Sequence, residues 1–276
     1  MIDAHFHCWR LDRQDYGWLT PELAPIYRDV AVADWAHLAA PLGLTGGVLV
    51  QAAPTEAETH FLLAQAEAHP EVLGVVGWVD LLAADAPARI AQLARHPKLK
   101  GLRPMLQDLP DPDWVLQPAL APALEAMARL RLVFDALILP VHLPRIEALL
   151  ARHPDLRVVI DHGAKPAPGA GEAAWREGLA RIAQATEPGR VVCKLSGLWT
   201  QWPGRAGPEV LMPWCETLWD IWGPERLLWG SDWPVLELAG DYGRWRQASL
   251  DFLHLRCSPA QLEAVLGENA RRIYRL

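Results

Sequence analysis

Nothing in this chain of 276 residues supplies a cysteine framework. The four cysteines, Cys8, Cys193, Cys215 and Cys257, contain no C-x-x-C pair. That argues against a zinc knuckle or a thioredoxin-like redox site, and leaves free buried thiols in a reducing compartment. Basic charge is also short: 26 Lys and Arg against 33 Asp and Glu give a net charge of −7. Proteins that grip phosphate backbones carry a basic face, so no nucleic-acid partner is expected. No apolar run approaches the roughly 18 residues of a membrane span. The opening Met1-Ile2-Asp3-Ala4-His5 has neither a basic nor an apolar signal region. The expectation is a cytoplasmic protein with no membrane association. The dinucleotide signature G-x-G-x-x-G is missing after the first apolar run, which removes the usual mark of a doubly wound nucleotide fold.

What is present is a regular alternation. Eight short apolar runs recur: Ile2–His7, Gly46–Gln51, Val72–Asp80, Leu99–Met105, Leu132–Leu139, Arg157–His162, Val191–Ser196 and Leu227–Asp232. They are nearly continuous in apolar residues, as suits parallel strands covered on both faces. Helical patterns fill the intervals at Thr55–His69, Ala86–His96, Pro118–Leu130, Leu143–His153, Gly171–Thr186, Pro208–Trp222 and Ser258–Leu266. His69, His96 and His153 each precede a proline and read as helix C-terminal residues, where a cation complements the dipole. Eight βα units in one chain predict an α/β fold, a single (β/α)8 TIM barrel occupying residues 1–276.

Strands buried on both sides should end in apolar residues or turn formers. Here they end in chemistry: His5 and His7, Gln51, Asp80, Arg103, Asp135, Asp161 and His162, Lys194, and Ser231 and Asp232. In a barrel these positions gather at the C-terminal rim, where active sites of this fold lie. Residues i and i+2 of a strand share a face, so His5 and His7 can converge on one ion or one substrate oxygen. Asp232 reads as a general base and His5, His7 and His162 as carbonyl polarisers. Lys194 and Arg103 supply positive charge to an oxyanion or to substrate hydroxyls. Gln51 joins Arg103 and Lys194 as a substrate-binding candidate. The loop aromatics Trp9, Tyr16, Trp18, Trp199, Trp202 and Trp233 form a group able to make a stacking wall for a sugar ring, with Tyr16 and Trp199 the substrate-binding candidates.

Several runs together resemble the amidohydrolase superfamily, in its amidohydrolase-2, TIM-barrel branch. They are Asp3-Ala4-His5-Phe6-His7, Asp161-His162, Cys193-Lys194-Leu195-Ser196-Gly197, Gly230-Ser231-Asp232-Trp233-Pro234 and Gly267-Glu268-Asn269-Ala270. Within that branch the chain is most similar to sugar lactonases of the L-fuconolactonase type. The resemblance implies hydrolysis of a sugar lactone, a carboxylic ester, to its aldonic acid. Phe6 inside the H-x-H and Pro104 after Arg103 depart from the usual lactonase pattern and bear on which sugar is taken. The superfamily's metal sites use a strand-five His that is absent here, and Arg103 cannot ligate. A binuclear centre is therefore not expected. The choices left are no cofactor, or one divalent ion, zinc or manganese, on His5, His7, His162 and Asp232.

The partner is expected to be a small-molecule lactone, with a homo-oligomer left open. A pyrone- or muconolactone-type dicarboxylate lactonase is the nearest alternative. It calls for several rim arginines, and only Arg103 ends a strand, with Arg10, Arg13 and Arg205 in loops. A metal-dependent decarboxylase of the branch and a non-catalytic sugar-binding barrel are the others.

Overall fold

The computed structural model describes residues 1–169, 171–202, 204 and 207–276; Arg205 lies outside them. Among the described residues eight strands are formed: β1 (Ile2–Phe6), β2 (Gly46–Val50), β3 (Val72–Gly77), β4 (Leu99–Leu102), β5 (Val133–Ala136), β6 (Arg157–Ile160), β7 (Val191–Leu195) and β8 (Leu227–Trp229). They pair in sequence order, every ladder parallel. The seam between β1 and β8 is closed by backbone bonds from Asp232 N to His5 O and from His7 N to Trp233 O, both 2.8 Å. The fold is the (β/α)8 barrel that the alternation predicts.

Each predicted strand is found, but each ladder stops one to three residues short of the predicted end. The polar residues expected at strand ends lie in or just beyond the last ladder pairs, where the backbone is free to turn. Around the sheet run α1 (Val32–Ala39), α2 (Glu56–Ala68), α3 (Ala86–Leu93), α4 (Ala121–Leu130), α5 (Leu143–Arg152), α6 (Glu172–Ala185), α7 (Met212–Trp222), α8 (Tyr242–His254), α9 (Pro259–Glu263) and α10 (Asn269–Tyr274). The helices α1, α8 and α10 are additions to those read from the sequence. The Asp241 side chain accepts from Arg244 N at 2.9 Å and starts α8, an N-cap whose signal is one residue type. His69 and His153 do cap the C-terminal ends of α2 and α5.

Two apolar layers result from the strand period of two. Val48, Val50, Val76, Val133, Val159, Val192 and Leu228 fill the barrel interior, closed below by Ala270, Ile273 and Tyr274 of α10. Leu49, Phe134 and Cys193 face outward into the layer under the helices. By the same alternation Asp135 and Lys194 enter the interior above the valine layer, and their side chains are fully buried.

Candidate active site

The seam places the first candidates. Asp3 holds it from behind: its carboxylate accepts from Ser231 N at 2.8 Å, Ser231 Oγ at 2.6 Å, Trp35 Nε1 at 3.0 Å and the Tyr242 hydroxyl at 2.9 Å. In front, His5 and His7 converge as their i, i+2 spacing requires, with their Nε2 atoms 3.2 Å apart. Asp232 Oδ1 lies 3.3 Å from His7 Nε2, and 3.6 Å from both His5 Nε2 and His162 Nε2. Thus four residues from β1, β6 and β8 meet at one point.

Their backbones are unusual. His162 and Asp232 both adopt left-handed conformations, φ +53° and +60°, which cost an ordinary residue of order 1 kcal/mol. Gly197, after β7, makes this possible. A Cβ there would stand 2.3 Å from His162 Nδ1 and 2.9 Å from Asp232 Oδ2. His162 Nδ1 instead meets Ser196 Oγ at 2.9 Å.

A buried ionic layer underlies the cluster. Lys194 Nζ is 2.7 Å from Asp135 Oδ2, 2.8 Å from Asp161 Oδ1 and 3.0 Å from His5 Nδ1. Arg103 Nη1 pairs with Asp161 Oδ2 at 3.2 Å and approaches His5 Nε2 at 3.4 Å. Its Nη2 donates to the carbonyl of Gln51 and, at 3.0 Å, to Gln51 Oε1. Gln51 returns a bond from Nε2 to Arg103 O at 3.0 Å. Lys194 and Gln51 are therefore wholly enclosed, while Arg103 reaches the cavity wall.

Charge follows from these contacts. Burial raises the Asp232 carboxyl, but the charge of His162, the bond with His7 and the charge of His5 outweigh it and hold it below the usual carboxylate range. Burial depresses His162 to about 4 against the pull of Asp232 and Asp161. Burial and the neighbouring Lys194 also keep His5 well below an ordinary histidine. At neutral pH an ionised carboxylate thus faces neutral imidazoles.

Over this floor opens a cavity of about 260 Å3, lined by His7, Arg103, His162 and Asp232 and walled by Trp18, Met105, Gln107, Asp108, Lys165, Thr200 and Gln201. Of the loop aromatics, Trp18 reaches the wall, while Tyr16 and Trp199 do not. Trp18 faces the cavity while Tyr16 is buried beside Trp9. Thr200 and Gln201 face it while Trp199 packs into the core. Lys165, Gln107 and Asp108 are absent from the sequence-derived site because they lie beyond the strand ends, where no period marks direction. Asp80 is exposed three residues past β3, and Arg10 and Arg13 pair with Asp12 and Asp15.

The donor chemistry fits one cation. His7 Nδ1 is 2.7 Å from Val50 O, a group that only accepts, so His7 carries its proton there and presents a lone pair at Nε2. That lone pair faces Asp232 Oδ1, and a proton or cation must relieve the encounter. Ligands of a tetrahedral zinc, each about 2.0–2.1 Å from it, are about 3.3 Å from one another. The separations of 3.2, 3.3 and 3.6 Å match that edge. His5 Nδ1 lies 3.0 Å from the Lys194 ammonium and 3.5 Å from Asp161 Oδ1, so the Lys194–Asp161 pair sets the His5 ring. His5, His7 and Asp232 form one group of potential ligands.

A profile of the amidohydrolase family matches residues 2–276. The chain belongs to the amidohydrolase family. This amidohydrolase is 44% identical, over its whole length and 95% of the other protein, to an L-fucono-1,5-lactonase of Burkholderia ambifaria. It is 33% identical to an L-fucono-1,5-lactonase of Burkholderia multivorans, covering 96% of that protein. A crystal structure of an amidohydrolase from Burkholderia multivorans with bound zinc superposes with a TM-score of 0.93 at 34% identity. It covers all of this chain and 99% of that one.

Proposed function

We propose that this amidohydrolase is a hydrolase that opens a sugar lactone, of the L-fucono-1,5-lactone class, to its aldonate. The observation that carries the reading is the ionised Asp232 on the floor of the cavity, within 3.6 Å of His5, His7 and His162. A carboxylate so placed accepts a proton from an attacking water. The full-length similarity to two L-fucono-1,5-lactonases supports the same assignment.

The step balances within the site. Water oxygen bonds to the acyl carbon as one water proton passes to Asp232. The ring C–O bond then breaks, and the proton on Asp232 passes to the departing ring oxygen. The carboxylic acid formed ionises to solvent. Arg103 adds positive charge at the cavity wall. Lys194, enclosed beneath His5, serves as a positioning residue that sets the His5 ring. Gln51 holds the Arg103 guanidinium in plane. Trp18, Gln107, Thr200 and Gln201 offer a ring face and hydrogen bonds to sugar hydroxyls.

One divalent ion, zinc or manganese, fits His5, His7 and Asp232, with His162 next to them. Such an ion supplies Lewis acidity and lowers the pKa of a bound water. A dicarboxylate is disfavoured because Arg103 is already committed to Asp161 and Gln51, which leaves Lys165 to face two carboxylates.

A pH-indicator assay over a panel of aldono-1,4- and 1,5-lactones tests the reading. A sugar lactone should be turned over with kcat/KM above about 10⁴ M⁻¹s⁻¹. Hydrolysis of an anionic pyrone dicarboxylate with every aldonolactone ignored would overturn it.

A further inference from the structure

Directly after β6 the chain makes a left-handed turn of four consecutive residues. His162, Gly163, Ala164 and Lys165 have φ of +53°, +58°, +60° and +49°. Only the second is glycine, so three residues bear the strain of a region that side chains rarely enter. The turn is pinned from outside by Trp175 Nε1, which donates to Gly163 O at 2.6 Å, and from inside by Ser196 on His162. Its first residue points to Asp232. Its last, Lys165, lines the same cavity.

Lys165 differs from the other cations of the site. Lys194 has two carboxylates within 2.8 Å, and Arg103 has Asp161 and Gln51. Among the described residues no hydrogen bond or ion pair is made by the Lys165 ammonium, although its backbone N–H donates to His162 O at 2.9 Å. Burial lowers its pKa, and the charge of Asp232 opposes that fall. A half-buried ammonium without a partner carries a desolvation cost, and the turn that bears it carries strain. Both costs are offset when an anion enters the cavity.

We propose that Lys165 is a catalytic residue that contacts the acyl end of the substrate, balancing the oxyanion during attack and the carboxylate of the product. This rests on the lactonase reading of the cavity. Lys165 stays protonated throughout: the water proton travels by Asp232 to the ring oxygen, and charge builds on the acyl oxygen beside the ammonium. The arrangement is electrostatic stabilisation at the point where charge develops. It also predicts that the site holds an aldonate more tightly than the matching alditol, which has the hydroxyls and no charge.

The test uses Lys165→Met and Lys165→Arg, with L-fuconate and L-fucitol as binding probes followed by calorimetry. Lys165→Met should lower kcat by about 10²-fold, the worth of one oxyanion donor. It should weaken L-fuconate by roughly tenfold or more, as for a hydrogen bond to a charged group, and leave L-fucitol unchanged. Lys165→Arg should recover part of both effects, and neither variant should melt below the wild type, with Lys165→Met equal to it or above it. Equal weakening of both probes would assign Lys165 a structural role. L-Fuconate binding that is absent, or the same in wild type and Lys165→Met, would overturn the proposal. Absence of lactone turnover by the wild type would instead fall on the lactonase reading, and the two probes would still decide the role of Lys165.

Discussion

Val50 fixes the proton of His7. Its carbonyl oxygen, 2.7 Å from Nδ1, accepts that proton and turns the Nε2 lone pair onto Asp232. A backbone group on the second strand thereby prepares a side chain on the first to act as a ligand or as an acceptor.

Zinc should therefore stabilise chelator-treated protein. At zinc about 100-fold above its dissociation constant, the gain is about 2.7 kcal/mol, which moves the melting temperature by roughly 5 °C. His7→Ala should abolish the shift while the fold persists. An unchanged melting temperature in the wild type, or a shift that survives in His7→Ala, would refute the ligand assignment.

Asp232→Asn should lower kcat by about 10²–10⁴-fold, the usual contribution of a positioned acid–base group. The seam bond from its backbone N to His5 O does not involve the carboxylate, so circular dichroism should be unchanged. Activity within about threefold of wild type would remove Asp232 from the proton path.

Glu58 of α2 gives a stability change with pH. Burial raises its carboxyl from 4.5 to about 7, over the opposing bonds from Ala53 N and Ala52 N. A raised carboxyl favours the fold fully below pH 4.5, and that contribution is lost as pH rises through about 7. The loss is about 3 kcal/mol at most. Denaturant unfolding of the wild type should weaken from pH 5 to pH 8, and Glu58→Gln should flatten this component. A variant with the wild-type slope would show that Glu58 is ionised throughout.

The barrel is legible because buried parallel strands write their period as apolar runs, and eight such runs leave few other topologies. The rim residues are legible because a carboxylate or imidazole ending such a run has no packing reason to be there. That logic finds His5, His7, His162 and Asp232, which meet within 3.6 Å along their successive contacts. It does not separate residues that face the cavity from those one layer beneath. Lys194 and Arg103 both sit in or just past strands, and only packing shows that Lys194 is enclosed by Asp135 and Asp161. Nor does it reach Lys165, whose direction is set by a left-handed turn that the sequence marks with a single glycine. The helix α8 buries a stripe of helical period, Tyr242, Trp245, Ser249, Phe252 and Leu253, whose apolar pattern the polar Ser249 breaks at its centre.

The floor of the barrel has a consequence for the order in which the molecule is made. The hydroxyl of Tyr274 donates to Asp135 Oδ2 at 2.7 Å, the oxygen that Lys194 also holds, and its ring lies 5.5 Å from the Lys194 ammonium. A nascent chain on the ribosome can pair β1 with β2, and β5 with β6, long before residue 274 emerges. Until then the interior carboxylate and ammonium lack their lid, and water has access from below. The working electrostatics of the catalytic floor thus depend on the docking of α10 beneath the barrel as well as on strand pairing.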